Sequence, residues 1–289
     1  MMPGHRATVC LTFDFDAISL WIGPFGATSP SMISRGEFGA VGARRLLRLL
    51  DRSAITATFF ITGHTADTYR DTVRDIAAAG HEIGHHGYLH ENPIGLGSKE
   101  KEREVLLRGF AALDRAAGVR PVGYRSPSWD NSPFTTELLV EAGFRYESSL
   151  MADDFTPYWC RVGDVIRPDG PYEFGQAVDL VEMPVSWILD DFPHFEPVNL
   201  RAAGGLLSVG LSAPSKVEEI WRGDFDFMYR EIDGGVFNLT MHPQVIGRGH
   251  RLLMLERLIA YFQGHDGVRF TTLSQAAADF RAAHPRQGA

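Results

Sequence analysis

The feature that most constrains this chain is a histidine-rich stretch in which His81, His85, His86 and His90 fall within ten positions. Imidazole is the commonest protein ligand for borderline divalent metals such as Zn²⁺. His86 and His90 are four residues apart, so one turn of helix or a tight loop would direct both rings to a single ion. The stretch alone leaves two interpretations open, a metal site and a surface histidine cluster on a loop.

The position of this stretch favours the metal site. An Ala-rich helical run ends at Gly80, and residues 81–85 then have the length and pattern of a short strand. That strand would deliver His86 and His90 at its carboxyl end. Folds that alternate strands and helices place their chemistry at the carboxyl ends of the strands, so the histidine pair lies where a functional site is expected.

Two carboxylates follow the first predicted strand. The apolar run from Ala7 to Phe13 is typical of a buried parallel strand, and Asp14-Phe15-Asp16 follows it. The period of two in a strand puts Asp14 and Asp16 on one face. Neighbouring carboxylates repel unless a cation or a shared proton compensates, so the pair is a candidate second half of a metal site. The alternative is a strand end with two solvated acids.

Strand and helix patterns alternate along the chain about seven times, which predicts a parallel barrel or a doubly wound sheet. No change in composition divides the chain, so we expect one domain over residues 1–289. Predicted helices include residues 41–52 and 98–117, residues 235–241 are a predicted strand, and residues 150–176 are predicted to be loop. Polar residues recur at predicted strand ends, which converge on one face of a barrel. These residues are Asp14, Asp16, His86, His90, Arg125, Trp187 and His242.

Residues 17–40 combine an apolar start with a run rich in Ser, Pro and Gly, and we predict a long loop there. A long apolar loop exposes a large patch unless it covers something. Because Asp16 anchors its start at the predicted site, we expect the loop to roof that site. Trp21 of the loop, with Trp129 and Trp187, is predicted to bind the substrate.

Composition excludes several classes of protein. Apolar residues make up 44% of the 289 residues, enough for a large core, and the net charge of −8 argues against nucleic acid or an anionic membrane as partner. No apolar run approaches the length of a membrane span. Two cysteines, Cys10 and Cys160, do not indicate a disulfide framework. The chain leads from Met1 into a strand without the apolar segment of a signal peptide, so a cytoplasmic location is expected.

Five short motifs resemble, in their order and spacing, those of the polysaccharide deacetylase superfamily, the carbohydrate esterases of NodB type. The resemblance implies an α/β fold, a distorted (β/α)7 barrel of the polysaccharide deacetylase type. It also implies a hydrolase of C–N bonds other than peptide bonds. The motifs are Thr12 to Asp16, His86 to His90, Arg125 to Pro127, Leu180 to Trp187, and Leu239 to Pro243.

The resemblance also implies a role for each matched position. It implies one divalent metal ion, with Zn²⁺ expected first and Mn²⁺, Co²⁺ or Ni²⁺ as alternatives. By the resemblance, Asp14 is the general base, Asp16, His86 and His90 hold the metal, Arg125 orients the base, Trp187 walls the pocket and His242 is the general acid. No role follows for His81, His85, Asp190 or Asp191.

Departures from the secreted sugar deacetylases point to another branch of the superfamily. Phe15 separates two carboxylates that are usually adjacent, and Gly87 follows the first metal histidine in place of Ser or Thr. These features look more like an intracellular branch of allantoinases, cyclic imide hydrolases and a Helicobacter deacetylase-like protein, usually homotetramers. We therefore expect a small cyclic imide, ureide or amide as substrate. The alternatives are an N-acetyl sugar or peptidoglycan deacetylase, and a non-catalytic small-molecule binding protein.

Overall fold

The structure is a computed structural model that describes residues 5–197 and 211–286. Its centre is strand β1 (Ala7–Phe15), which is buried along its whole length because its apolar side chains face packed layers on both sides. The other strands of the described residues are β2 (Thr58–Ile61), β3 (Glu82–His85), β4 (Gly123–Tyr124), β5 (Tyr146–Glu147), β6 (Tyr158–Val162), β7 (Gln176–Glu182), β8 (Gly235–Met241) and β9 (Val268–Phe270).

These strands form one sheet in the order β6-β7-β5-β4-β3-β2-β1-β8, and β9 pairs with β1 beside this path. The pairs are parallel except for β6, which runs antiparallel to β7. The sheet curls so that the chain after β7 meets β8. Asp190 forms a parallel bridge to Thr240 of β8, and Asn238 of β8 donates to the carbonyls of Met183 and Pro184. The sheet is thus a curled, mixed half-barrel, and the predicted α/β fold of polysaccharide deacetylase type is confirmed.

Helices cover the outside of the sheet and bury its apolar face. Phe225, Phe237 and Phe262 show this packing, with ring centroids 4.4–5.6 Å apart. The described helices are α1 (Ser19–Ile22), α2 (Pro30–Arg52), α3 (Gly63–Thr68), α4 (Arg70–Ala78), α5 (Pro93–Leu96), α6 (Lys99–Ala117), α7 (Thr135–Ala142), α8 (Asp191–Phe195), α9 (Pro214–Glu231), α10 (Pro243–Ile246), α11 (Gly249–Gln263) and α12 (Leu273–Ala283).

The prediction of a long loop over residues 17–40 was wrong. Helix α2 begins at Pro30, where the missing N–H of proline costs nothing, and not at residue 41. Gly36 and Gly39 looked like loop composition, but the glycines of α2 serve close packing. A Cβ on Gly36 would collide with the backbone of Ala17, and one on Gly42 with the backbone of Pro243. The glycines therefore bring α2 against the chain that follows β1 and β8.

Most other element predictions were confirmed close to their bounds. The helix predicted over 98–117 is α6, and the strand predicted over 235–241 is β8. Residues 150–176, predicted as loop, instead contain the antiparallel strand β6. None of the described helices has the length and apolar content that crossing a membrane requires.

Candidate active site

One pocket of about 270 Å³ lies at the carboxyl ends of the central strands. Two strands supply part of its polar floor: β1 carries Asp14, and Asp16 and His242 directly follow β1 and β8. The sequence therefore predicted correctly that strand-end residues meet. The other lining residues are Leu20, Phe25, His86, His90, Ser128, Trp129, Trp187, Asp190, Phe192 and Pro193.

Asp16, His86 and His90 form a candidate metal triad. The Oδ1 atom of Asp16 lies 3.4 Å from Nε2 of His86 and 4.0 Å from Nε2 of His90, and all three side chains are buried. Neither oxygen of Asp16 has a hydrogen-bond partner among the described residues. Burial raises the pKa of Asp16 to about 8, because a lone buried carboxylate is costly. One carboxylate and two imidazoles are ligands that Zn²⁺ accepts, so these residues fit a divalent cation.

The backbone after β3 aims both imidazoles at Asp16. Nδ1 of His86 lies 2.7 Å from the carbonyl oxygen of Arg125, which assigns the proton to Nδ1 and leaves the Nε2 lone pair free. Gly87 and His90 have φ values of 70° and 60°, so the chain turns back on itself and returns His90 beside His86. Burial lowers the pKa of both imidazoles. Both are therefore neutral, as metal ligands must be.

Asp14 is held differently from Asp16. Its Oδ1 accepts a hydrogen bond of 2.8 Å from Nη1 of Arg125, and both side chains are buried. Arg125 is itself fixed, because it donates to the Thr12 hydroxyl and to the backbone and side-chain oxygens of Ser148. The other oxygen of Asp14 lies 4.0 Å from Nε2 of His86. Asp14 thus has one oxygen bound by a cation and one facing the triad.

His242 faces the triad from β8. Its Nε2 lies 3.7 Å from Oδ2 of Asp16, and its Nδ1 lies 2.7 Å from Oδ1 of Asp191. The backbone N–H of His242 donates to both oxygens of the same Asp191 carboxylate, at 3.0 Å each. Burial opposes protonation, but the negative charges of Asp190 and Asp191 outweigh it and raise the pKa of His242 well above its ordinary value. The side chain is arranged to carry a proton into the pocket.

This arrangement has the parts of a metal-assisted hydrolase, and comparison with known proteins identifies its family. The polysaccharide deacetylase family model matches residues 3–147. The chain belongs to the polysaccharide deacetylase family. It is 41% identical over 286 residues to a peptidoglycan deacetylase of Helicobacter pylori, covering 95% of this chain and 96% of that protein. It is 30% identical to the peptidoglycan deacetylase-like protein FGM2 of Gibberella zeae, covering 96% and 87%.

Solved structures agree with this polysaccharide deacetylase assignment. A Mycobacterium smegmatis protein assigned to the polysaccharide deacetylases is 39% identical, with a TM-score of 0.85 and coverage of 100% and 96% of the two chains. The PuuE allantoinase is 24% identical with a TM-score of 0.78, covering 99% and 94%, and this likeness shows the fold alone. The predicted resemblance is confirmed, and the chain is a hydrolase of amide C–N bonds.

Two residues of this chain that the sequence left without a role belong to the site. Asp190 lines the pocket and Asp191 binds His242. Burial raises the pKa of Asp190 to about 7. A signal for both was present, because adjacent carboxylates directly follow the apolar residues after Trp187, and a histidine that carries a proton needs an acceptor at its second nitrogen.

The other two residues without a predicted role, His81 and His85, lie outside the site. Nε2 of His85 bonds the carbonyl of Leu106 at 3.0 Å, and burial lowers the pKa of His85 to about 4. Nδ1 of His81 accepts a hydrogen bond from the backbone N–H of Ala57. Both are core histidines that connect neighbouring segments.

The three tryptophans predicted to bind substrate occupy different places. The rings of Trp129 and Trp187 lie 4.3 Å apart between centroids and both line the pocket, where Trp187 is 48% exposed. Trp21 does not line the pocket. Its ring is fully buried and stacks on Phe25 at 5.2 Å, so it supports the wall that Phe25 presents.

Proposed function

We propose that this polysaccharide deacetylase removes the acetyl group from an N-acetylated amino sugar, as found in peptidoglycan, by hydrolysing the amide C–N bond. The observation that carries the chemistry is the unpartnered buried carboxylate of Asp16 between His86 and His90. The substrate class is supported by the Helicobacter pylori relative, which is similar over nearly the whole length of both chains. This support favours the sugar alternative over the cyclic imide that the sequence motifs suggested.

Asp16, His86 and His90 would hold one divalent cation, for which Zn²⁺ is the first choice and Mn²⁺, Co²⁺ and Ni²⁺ are alternatives. Such an ion, when bound, supplies a Lewis acid for the amide carbonyl and the attacking water. The chain's part in this is to present three ligands in the form that binds metal. The neutral imidazoles and the carboxylate without hydrogen bonds meet that requirement.

Proton transfer falls to the residues on either side of the triad. Asp14 accepts the proton of the attacking water, and Arg125 keeps its carboxylate turned to the site. Such general base catalysis contributes about 10²–10⁴-fold. His242 donates a proton to the departing nitrogen, so the leaving group is an amine and not an amide anion. Water thus adds its oxygen to the acetyl carbon, the C–N bond breaks, and acetate and a free amine form.

The pocket mouth supports a substrate that extends into solvent. The rings of Trp129 and Trp187 pack against each other, Trp129 is buried, and about half of the Trp187 side chain is exposed. Large rigid aromatic faces bury much area at little entropic cost, which suits stacking against the C–H face of a sugar ring. We assign these two rings to binding the sugar that carries the acetyl group or its neighbour along a glycan.

One observation favours a second candidate function, hydrolysis of a small cyclic imide, ureide or amide. The pocket holds about 270 Å³, and Leu20, Phe25 and Phe192 make one side of it apolar. A small pocket with few polar groups suits a flat ring that enters completely. The two candidates share the triad, Asp14 and His242, and differ only in how the substrate meets the walls.

A product assay on the metal-loaded full chain separates these functions. Acetate and free amine are measured with oligomers of N-acetylglucosamine and with muropeptides, and ring opening is measured with five- and six-membered imides. We expect acetate release from the glycans. In Trp187→Ala, kcat/KM should fall for the glycan and stay unchanged for the imide. Imide opening without glycan deacetylation would replace our proposal with the second candidate, and no turnover of any substrate would favour the binding-protein alternative.

Location and assembly also stay predictions. The resemblance implies a homotetramer, and we propose a cytoplasmic protein whose partners are small molecules and neither nucleic acid nor membrane. Analytical ultracentrifugation of the full chain tests the tetramer, and fractionation of cells that express the native gene tests the location. A cytoplasmic location would fit a deacetylase of glycan precursors or fragments.

A further inference from the structure

A second cluster of buried ligand-type side chains lies away from the active site, on the sheet edge formed by β5, β7 and β6. Glu147 of β5 and Glu182 of β7 are register partners, and Cys160 lies on the neighbouring β6. One ligand atom from each lies within 4.8 Å of the others, and all three side chains are buried. We call these residues the edge cluster.

The edge cluster holds more acidic groups than its surroundings can stabilise as charges. Oε1 of Glu182 accepts the backbone N–H groups of Ser149 and Leu150 at 3.0 Å each. Both oxygens of Glu147, which is 1% exposed, have no hydrogen-bond partner among the described residues. In the described part of the chain, neither glutamate forms an ion pair with Lys, Arg or His. Two adjacent buried carboxylates cannot both ionise unless a cation joins them.

We propose that Glu147, Cys160 and Glu182 bind a second divalent cation of the zinc class. A thiolate and two carboxylates are ligands of Zn²⁺, and two ligands at about 2.0–2.3 Å from a tetrahedral ion lie roughly 3.3–3.8 Å apart. Sγ of Cys160 already lies 3.7 Å from Oε2 of Glu182. The unpartnered Glu147 carboxylate completes the set from the third strand.

The role of this site is structural. Strand β6 is the terminal and only antiparallel strand on the described sheet path, and it joins the sheet through β7 alone. A cation held by Cys160, Glu182 and Glu147 would tie β6 to the two strands beside it. Burial raises the pKa of the Cys160 thiol, so the free thiol is protonated, and the proton leaves when the cation binds.

Cobalt substitution of the full chain tests the proposal, because the two sites differ in sulfur. The triad of Asp16, His86 and His90 contains no cysteine, so a thiolate-to-cobalt charge-transfer band can come only from Cys10 or Cys160. We expect metal-stripped wild type to take up two equivalents of Co²⁺ and to show this band. Cys160→Ala should lose the band and one equivalent, and the matched control Cys10→Ala should keep both.

The reciprocal variant separates this inference from the proposed function. His86→Ala should lose the other equivalent and keep the charge-transfer band. Failure of the proposed substrate assay would leave these results unchanged. A wild type that shows no thiolate band at saturating Co²⁺ and binds one equivalent would overturn the inference. Glu147 and Glu182 would then share a proton. The cobalt titration of the wild type needs no variant, so poor folding of Cys160→Ala cannot obscure its result.

Discussion

The amino ends and the carboxyl ends of the parallel strands each bury a carboxylate, and the two carboxylates have opposite environments. At the start of β3, Glu82 accepts hydrogen bonds from Thr58 Oγ1, the Tyr146 hydroxyl and the backbone N–H of Ser274, at 2.8–3.1 Å. Just after β1, Asp16 accepts none from the described residues. Buried polar groups are nearly always satisfied, so the exception marks a place where something outside the chain completes the bonding. Glu82, at the amino ends of the strands, is structural, and Asp16, at their carboxyl ends, belongs to the candidate active site.

The same contrast recurs within the site, two positions apart at the carboxyl end of β1. Asp14 is bound by Arg125, whereas Asp16 is surrounded by His86, His90 and His242 without a hydrogen bond. A carboxylate that already has a cation is free for proton transfer, and one without a cation is free to bind metal. We therefore expect the two aspartates to divide the work, with proton transfer at Asp14 and metal binding at Asp16.

The largest expected effect comes from removing the carboxylate without partners. Asp16→Asn should lose the metal and bring turnover to the uncatalysed background, because a neutral amide is a poor ligand and the Lewis acid is gone. Elemental analysis and the deacetylase assay measure both. Retention of a full equivalent at the triad would show that Asp16 is not a ligand.

Asp14→Asn is the matched change two residues earlier. It should keep the metal and lower kcat by about 10²–10⁴-fold, because only the proton acceptor is lost. Metal content and kcat are measured on the same preparation. If Asp14→Asn empties the site while Asp16→Asn does not, the roles of the two aspartates are exchanged.

A smaller effect is expected from Asp191→Asn, and it shows in the pH dependence. Asp190 and Asp191 raise the pKa of His242, so its proton is held at low pH and lost as pH rises through that pKa. Removing one charge should move the alkaline limb of the kcat profile to lower pH. A hydrogen bond to a charged group is worth about 1.5–3 kcal/mol, which corresponds to a loss of roughly 10–100-fold in kcat. An unmoved limb would exclude His242 as the proton donor.

The smallest effect on turnover is expected at the structural end. Glu82→Gln should leave metal content and kcat unchanged and should lower the free energy of unfolding by about 1–3 kcal/mol, since an amide cannot accept all the present hydrogen bonds. Urea denaturation of metal-free protein measures this. Metal-free Asp16→Asn is the control and should unfold no earlier than metal-free wild type. If metal-free Asp16→Asn is less stable than metal-free Glu82→Gln, the contrast between a structural Glu82 and a functional Asp16 is wrong.

Much of the candidate site could be predicted from sequence because its residues follow strands. Asp14, Asp16 and His242 lie at the carboxyl ends of strands whose apolar runs are evident, and parallel strands bring those ends together. The first part of helix α2 could not be predicted, because glycine at a close approach and glycine in a loop look the same in sequence. Gly36 and Gly39 are distinguished only by the Ala17 backbone and the Phe15 ring beside them.

The sequence by itself determined which residue types meet at the site, since carboxylates and imidazoles at predicted strand ends favour a metal-assisted hydrolytic site. Only the tertiary structure decided what the two remaining histidines of the stretch, His81 and His85, contact. His85 and His86 are adjacent in the chain, yet one reaches the carbonyl of Leu106 in the core and the other faces Asp16. Successive side chains of an extended strand point to opposite sides, so what each imidazole meets depends on the elements packed there, and those come from distant parts of the chain.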